Sequence, residues 1–245
     1  MKIKRSVKCL LAAVLIIAIL QPGSIVSDTK TYAAGSVSTY NALVSNIKSE
    51  LLARNTSFSI VYTGPLNGLS AAALFKQAVN DARADSATTA PNEGDYILFS
   101  MDKYTVSAST SGSTSTYTAN VVYRDSASKE QQVTSKIDQL KNEWGIGSLS
   151  DIDKVKFIHD YVVTHVSYDN SRSHYTAYDA LIGGSSVCQG YALLTYRLCK
   201  TFGIDARIVS GYKKTDSGAK GENHAWNIVK VNGKYYNLED RKSVV

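Results

Sequence analysis

Cysteine is scarce in this sequence. Cys9, Cys188 and Cys199 are the three cysteines among 245 residues, and the first belongs to an N-terminal apolar segment. If Cys188 and Cys199 share one helix, their eleven-residue spacing puts the Cα atoms roughly 16 Å apart at about 1.5 Å per residue. A disulfide needs a Cα separation within about 7 Å. The spacing therefore predicts a free thiol at Cys188, and Cys199, almost three turns later, is predicted to lie on the buried face of the helix.

Histidine is also scarce, with four residues, and no metal-ligand pattern surrounds them. His159 and His165 are six residues apart in a predicted helix, so they do not share one face and are interpreted as ordinary helix residues. The segment Asp151–Asp153 lacks the glycine and the distal glutamate of a calcium loop. We predict no metal and no other cofactor.

The excess of positive charge is concentrated near the N-terminus. The formal net charge is +6, but residues 1–34 carry five basic residues and one acidic residue. Without that segment the chain has 22 basic and 20 acidic residues. This balance gives no electrostatic basis for binding nucleic acid.

An apolar run spans Cys9–Leu20, which is twelve residues. A bilayer span needs about 20. The run follows the basic start "MKIKRSVK" and precedes the small residues Ala33, Ala34 and Gly35, an order typical of a secretory signal. We predict a signal peptide at residues 1–34 and a secreted or cell-surface protein that meets the membrane only through this segment. An uncleaved anchor is the alternative.

Residues 35–130 are predicted to form a small α+β region of unknown role. They contain no cysteine, no histidine and no cluster of acidic residues. Hydrophobic periodicity and turn residues predict helices at 38–53 and 70–83, strands at 57–64, 96–107 and 116–124, and a polar hairpin loop at 108–115.

Residues 131–245 are predicted to form a second, denser region. Helices are expected at 131–144, at 152–166 with Ser150 as its N-cap, and from Cys188 to a stop at Gly203. Strands are expected at 204–212, 224–231 and 234–239, with a tyrosine-rich loop at 168–178 and a polar loop at 213–223. Asn232-Gly233 is a strong hairpin signal.

Cys188 lies where a Gly/Ser-rich loop becomes an apolar helix. Backbone N–H groups and the helix dipole favour the thiolate at such a position. A cysteine nucleophile also needs a base, and that base needs a group to orient it. His224 is the candidate base, since it opens a strand after a flexible loop.

The hairpin predicts which acid orients His224. A two-residue turn at Asn232-Gly233 pairs Val231 with Lys234, and His224 and Glu239 then become diagonal neighbours on one face, about 7 Å apart at Cβ. Asp240 points to the other face. A three-residue loop would reverse the choice and favour Asp240.

The segment "AYDALIGGSSVCQGYALLTYRLCKTFGIDARIVSGY" followed by "HAWNIVKVNGKYYNLE" resembles the core of the transglutaminase-like superfamily, in particular its exported bacterial members. The preceding "DKVKFIHDYVVTHVSYD" is similar to the helix that leads into this core. The resemblance implies an α+β, papain-like fold in which a cysteine-bearing helix packs on an antiparallel sheet. It also implies a Cys-His-Asp triad, with Cys188 as nucleophile, His224 as base and acid, and Glu239 at the position of the aspartate.

The expected function is attack on an amide of a protein or cell-wall peptide through a thioester, followed by transfer or hydrolysis. Tyr178, Gln189 and Trp226 are candidates for the oxyanion site and the cleft. The sequence departs from the family at Glu239 and in its ending, "LEDRKSVV". These departures leave open Asp240 as the acid, a C-terminal truncation, and a catalytically inactive cell-surface binding module on the same fold.

Overall fold

The computed structural model describes residues 32–87, 89–214 and 220–239. The helices are α1 (Tyr40–Leu52), α2 (Ala71–Ala82), α3 (Asp95–Ser100), α4 (Ala127–Trp144), α5 (Asp151–His165), α6 (Ala177–Leu181) and α7 (Cys188–Thr201). The strands are β1 (Tyr32–Val37), β2 (Ser57–Tyr62), β3 (Met101–Ser111), β4 (Thr114–Tyr123), β5 (Ser167–Tyr168), β6 (Ser185–Ser186), β7 (Ala206–Lys214), β8 (Lys220–Val231) and β9 (Lys234–Leu238). The predicted α+β class is confirmed.

The N-terminal half is a four-stranded sheet, in the order β1-β2-β4-β3, packed against α1 and α2. In α1 the apolar residues Leu43, Ile47 and Leu51 recur every four positions and are buried, so one stripe of the helix faces the sheet. The hydroxyl of Ser70 caps α2 by accepting from the N–H of Ala73. This half has its own hydrophobic core.

Two predictions in this half were wrong. The strand predicted at 96–107 begins only at Met101, because Asp95–Ser100 forms α3. Tyr96 of α3 packs in the C-terminal core whereas Ile97 packs in the N-terminal core, so tertiary contacts decided its conformation. The polar tract 108–115 is mostly strand: Gly112, at φ 58°, helps close a two-residue turn, and the remaining residues pair across the hairpin.

The C-terminal half is built around α7. Every residue of α7 from Gly190 to Lys200 is buried, since α4, α5, α6, β7 and β8 all contact this helix. Ser150 caps α5, as predicted, by accepting from the N–H of Asp153. Helix α4 begins at Ala127, four residues earlier than predicted, because the Ser126 hydroxyl caps it. The predicted boundary between residues 130 and 131 falls inside this helix.

Strands β7, β8 and β9 form an antiparallel sheet in that order. Val231 pairs with Lys234 and Asn227 with Leu238, so the predicted register is confirmed. Asn232 and Gly233 form the two-residue turn with φ values of 51° and 78°. The loop predicted at 213–223 is shorter than expected, because Lys214 pairs with Lys220 and Tyr212 with Asn223. His224 therefore lies within β8 rather than at its start.

Buried charges join the two halves. The Glu130 carboxylate of α4 accepts from Arg197 of α7, from Arg54 at 2.6 Å and from the Tyr96 hydroxyl at 2.8 Å. The side chains of Arg197 and Arg54 are 2% and 6% exposed, so these ion pairs are shielded from solvent. The N-terminal half is thereby fixed to the helix that begins with Cys188.

The predicted signal peptide lies mostly outside the described residues. Its last three residues, 32–34, belong to β1, which pairs in parallel with β2. Among the described residues no helix is long and apolar enough to cross a membrane.

Candidate active site

Cys188 is the first residue of α7, as predicted. Val187 is the N-cap, and its side chain makes no capping hydrogen bond. Two hydrogen bonds hold the loop before α7: the N–H of Val187 donates to the carbonyl of His174 at 2.9 Å, and the Ser186 hydroxyl donates to the same carbonyl at 2.9 Å. These contacts on its N-terminal side help to fix the position of Cys188.

The first turn of α7 packs very closely on this loop at Gly190. A Cβ atom at residue 190 would lie 2.7 Å from Cβ of Ser186, closer still to its Oγ, and 2.7 Å from the carbonyl oxygen of Thr176. Only glycine permits this approach. Gly190 thus sets how closely the start of α7 packs against the loop that precedes it.

The thiol of Cys188 is half-buried and free. Burial raises its pKa, but a hydrogen bond and the charge from His224, with the backbone N–H groups of Ala225 and Gln189, outweigh that effect and lower the pKa from its ordinary value. The helix start predicted from the sequence accounts for the Gln189 contribution. The Ala225 N–H belongs to β8, and nothing in the sequence around Cys188 indicates that it reaches the thiol.

Glu239 lies on the other side of the His224 ring. Nε2 of His224 donates to Oε1 of Glu239 over 2.9 Å. The His224 side chain is 10% exposed and the Glu239 side chain is 52% exposed, so the pair lies at the mouth of the site. The confirmed hairpin register brings the two together as diagonal neighbours, as the two-residue turn requires.

Trp226 forms a wall beside His224. The two rings are nearly parallel, with centroids 5.8 Å apart and an interplanar angle of 18°. Nε1 of Trp226 donates to Oδ1 of Asn237 at 3.2 Å, and this bond fixes the orientation of the indole. Gly211 on β7 makes room for it, since a Cβ there would lie 3.0 Å from the indole ring.

The other predicted residues have different surroundings. The side-chain amide of Gln189 donates to the carbonyl of Phe99 in α3 at 3.0 Å, so its backbone rather than its amide contacts the thiol. Tyr178 lies on α6, where its ring faces the Lys129 ammonium at 4.6 Å. Asp240 lies outside the described residues.

Asp169 organises the loop before α7, and sequence reasoning missed it. Its carboxylate accepts from the Ser171 hydroxyl at 2.6 Å and from the N–H groups of Ser171, Ser173 and His174. The Ser171 hydroxyl, opposed by burial and supported by these N–H groups, lowers the pKa of Asp169 well below its usual range. An aspartate with serines two and four residues later is a recognisable turn signal.

His159 was interpreted as an ordinary helix residue, but it contacts the site. Its Nε2 lies 3.3 Å from the backbone carbonyl oxygen of Glu239. Eighty residues separate the two, so no local signal in the sequence indicates the contact. Within the described residues, no group of three or more His, Cys, Asp or Glu side chains is arranged to hold a metal ion.

Comparison with known proteins finds a family match in the C-terminal half. Residues 138–239 match the Transglutaminase-like superfamily. The chain is similar to the kyphoscoliosis peptidase of Mus musculus, with 28% identity over 124 residues that cover 46% of this chain and 19% of that protein. It is also similar to the kyphoscoliosis peptidase of Homo sapiens, with 30% identity over 119 residues, 43% of this chain and 18% of that protein.

The chain therefore spans about a fifth of the length of the curated relatives that it matches. Among solved structures it resembles a TGase, with a TM-score of 0.40 and 15% identity over 75% of this chain and 50% of that chain.

Proposed function

Because residues 138–239 belong to the transglutaminase-like superfamily, we propose that the protein is an exported cysteine enzyme that attacks an amide carbonyl through Cys188. The observation that carries the proposal is a continuous chain of contacts. The Cys188 thiol hydrogen-bonds His224, and His224 donates to Glu239 at 2.9 Å. A nucleophile, a base and an orienting acid in this order are what thiol-based acyl transfer requires.

In the first step the Cys188 sulfur forms a bond to the carbonyl carbon of the substrate amide. Because Nε2 of His224 is bound to Glu239, Nδ1 is the ring nitrogen left to hold the thiol proton. The imidazolium then gives that proton to the departing nitrogen as the C–N bond breaks. An amine or ammonia leaves, and a thioester on Cys188 remains.

In the second step water or an amine attacks the thioester carbonyl. His224 takes the proton of the attacking group, and the C–S bond breaks to return the thiolate. Water gives hydrolysis, and an amine gives transfer. Backbone N–H groups at the start of α7 are suited to stabilise the oxyanion of both steps, and Tyr178, Gln189 and Trp226 remain candidates for that role or for the cleft.

Glu239 is proposed as the orienting acid. It is one methylene longer than the family's aspartate, and its Oε1 lies 2.9 Å from Nε2 of His224. Asp240 is the alternative, and Glu239→Gln separates the two. If Glu239 orients His224, its amide variant loses turnover and raises the pKa of Cys188, while Asp240→Asn changes neither.

The first test is alkylation of Cys188 by iodoacetamide as a function of pH, followed by peptide mass spectrometry. The expected half-maximal rate lies below the pH of about 8.5 at which an ordinary cysteine ionises. The fully buried Cys199 is the internal control and stays unmodified in the native protein. An ordinary pH midpoint at Cys188 would refute an activated nucleophile.

The second test is turnover. The protein is incubated with a glutamine-donor peptide and a labelled amine, and intact-mass spectrometry looks for acylated Cys188. Cys188→Ala should fold normally and form no acyl-enzyme. Release of free acid identifies a hydrolase, and labelled product identifies a transferase. Turnover by the Cys188→Ala variant would exclude the mechanism.

An inactive cell-surface binding module is the second candidate function. The half-exposed Glu239 side chain favours it, since water weakens an orienting carboxylate. This candidate predicts the absence of any acyl-enzyme together with tight binding of a protein or cell-wall peptide. Export is proposed on the strength of residues 1–34. Fractionation of cells that express the chain with and without this segment tests it.

A further inference from the structure

Glu239 follows directly after strand β9. The described register of β8 and β9 runs from Val231–Lys234 to Asn227–Leu238. A contact from an element outside this hairpin adds a restraint on the proposed orienting acid.

One such contact comes from His159 on α5. Its Nε2 lies 3.3 Å from the carbonyl oxygen of Glu239. A carbonyl oxygen only accepts, so Nε2 carries the proton and donates it. On the other side of the ring Nδ1 lies 3.5 Å from Oδ1 of Asp160. The His159 ring therefore contacts the backbone of Glu239 through Nε2 and the carboxylate of Asp160 through Nδ1.

The imidazole of His159 is held firmly. His159 is 7% exposed, and its neighbours on α5, Ile158 and Val162, are fully buried in the C-terminal core. Helix α5 packs directly on α7, the helix that begins with Cys188. The donor to Glu239 and the nucleophile therefore belong to one packed pair of helices.

We infer that His159 is a positioning residue of the site: its hydrogen bond to the Glu239 carbonyl fixes the residue whose carboxylate orients His224. This inference rests on the proposed function. Without the bond, the Glu239 backbone loses one restraint, its carboxylate leaves the His224 ring for a larger part of the time, and the imidazolium is stabilised less. The positive charge of His224 then stabilises the Cys188 thiolate less, so the pKa of Cys188 rises.

The experiment measures the pH midpoint of Cys188 alkylation in a double-mutant cycle on the full chain. His159→Leu and His159→Met both remove the hydrogen-bond donor, and the two apolar side chains differ in shape. If one variant fails to fold, the other can still be measured. His159→Gln keeps an N–H near the position of Nε2. Glu239→Gln removes the proposed orienting charge, and His165→Leu on the same helix is the matched control.

The expected result is an upward shift of about half a pH unit to one unit in the apolar His159 variants, the equivalent of one hydrogen bond. His159→Gln should restore most of the wild-type midpoint, and His165→Leu should leave it unchanged. In the Glu239→Gln background, His159→Leu should add no further shift, because its effect passes through the carboxylate. A merely structural role would change the unfolding midpoint without moving the alkylation midpoint.

Two outcomes overturn the inference and differ from a failure of the proposed function. One is a wild-type midpoint in both apolar variants, and the other is a full additional shift in the Glu239→Gln background. If the proposed function itself is wrong, the wild-type midpoint is already that of an ordinary cysteine, before any variant is compared.

Discussion

Replacing Gly190 by alanine should destabilise the protein although alanine is the better helix former. Within a helix, glycine to alanine is worth about 1 kcal/mol in favour of alanine. Here the added Cβ would lie 2.7 Å from the Thr176 carbonyl oxygen and 2.7 Å from Cβ of Ser186. Rotation of the Ser186 side chain relieves only the clash of the new Cβ with the Ser186 Oγ. The carbonyl and the Ser186 Cβ move only if the backbone moves.

The magnitude follows from these two opposing effects. Overpacking of a rigid interior costs about 1–3 kcal/mol, and displacement of a backbone carbonyl belongs at the upper end of that range. After subtraction of the propensity gain of about 1 kcal/mol, we expect a net loss of about 2 kcal/mol. The same displacement moves the start of α7, so the alkylation rate of Cys188 should fall as well.

The assay is urea unfolding followed by tryptophan fluorescence. Gly147→Ala is the matched control: nothing lies within 4 Å of its added Cβ, and its φ is not positive. Its free energy of unfolding should stay within about 0.5 kcal/mol of wild type, as expected for a surface change. If Gly190→Ala unfolds at the same urea concentration as wild type or higher, the close approach described at this position does not exist in solution.

Three further predictions concern the supports of the site. Glu130→Gln leaves the buried Arg197 and Arg54 without a counter-charge and should cost about 3–5 kcal/mol in urea unfolding; a loss under 1 kcal/mol would contradict the buried network. Asp169 has a lowered pKa in the folded state, so its stabilisation is complete above the unfolded pKa of about 3.9 and disappears as the pH falls through the folded pKa. Wild type should therefore exceed Asp169→Asn in stability at pH 7 by more than at pH 3, and a pH-independent difference would refute this. Gly233→Ala, at φ 78°, should cost about 1–2 kcal/mol and slow Cys188 alkylation through the loosened hairpin; unchanged stability would contradict the turn.

The parts of the site that follow local rules were predictable. A thiol at a helix start was readable from the change in composition at Cys188. Two-residue hairpin geometry favoured Glu239 over Asp240 as the neighbour of His224, with a three-residue loop as the open alternative. Both depend on interactions within about fifteen residues, where backbone geometry leaves few alternatives.

The errors have physical reasons as well. The segment at α3 is short and continuously apolar, a pattern that fits a strand and a helix equally well, and packing of Tyr96 and Ile97 into two different cores decided the outcome. The tract at 108–115 was interpreted as a loop because serine and threonine are polar. In the sheet, these residues pair across the hairpin and their backbone N–H and C=O groups form hydrogen bonds. The tract is therefore strand on both sides of Gly112.

The sequence by itself indicated the α+β class and the free thiol at the start of α7, and it favoured the observed register of the final hairpin over that of a three-residue loop, because each depends on short stretches of the chain. Only the tertiary structure decided that the Ala225 N–H and the His224 ring reach the Cys188 thiol, that His159 contacts the backbone carbonyl of Glu239, and that Glu130 joins the two halves. These contacts link residues tens of positions apart. Their partners are selected by how whole helices and sheets pack, which no short stretch of sequence encodes.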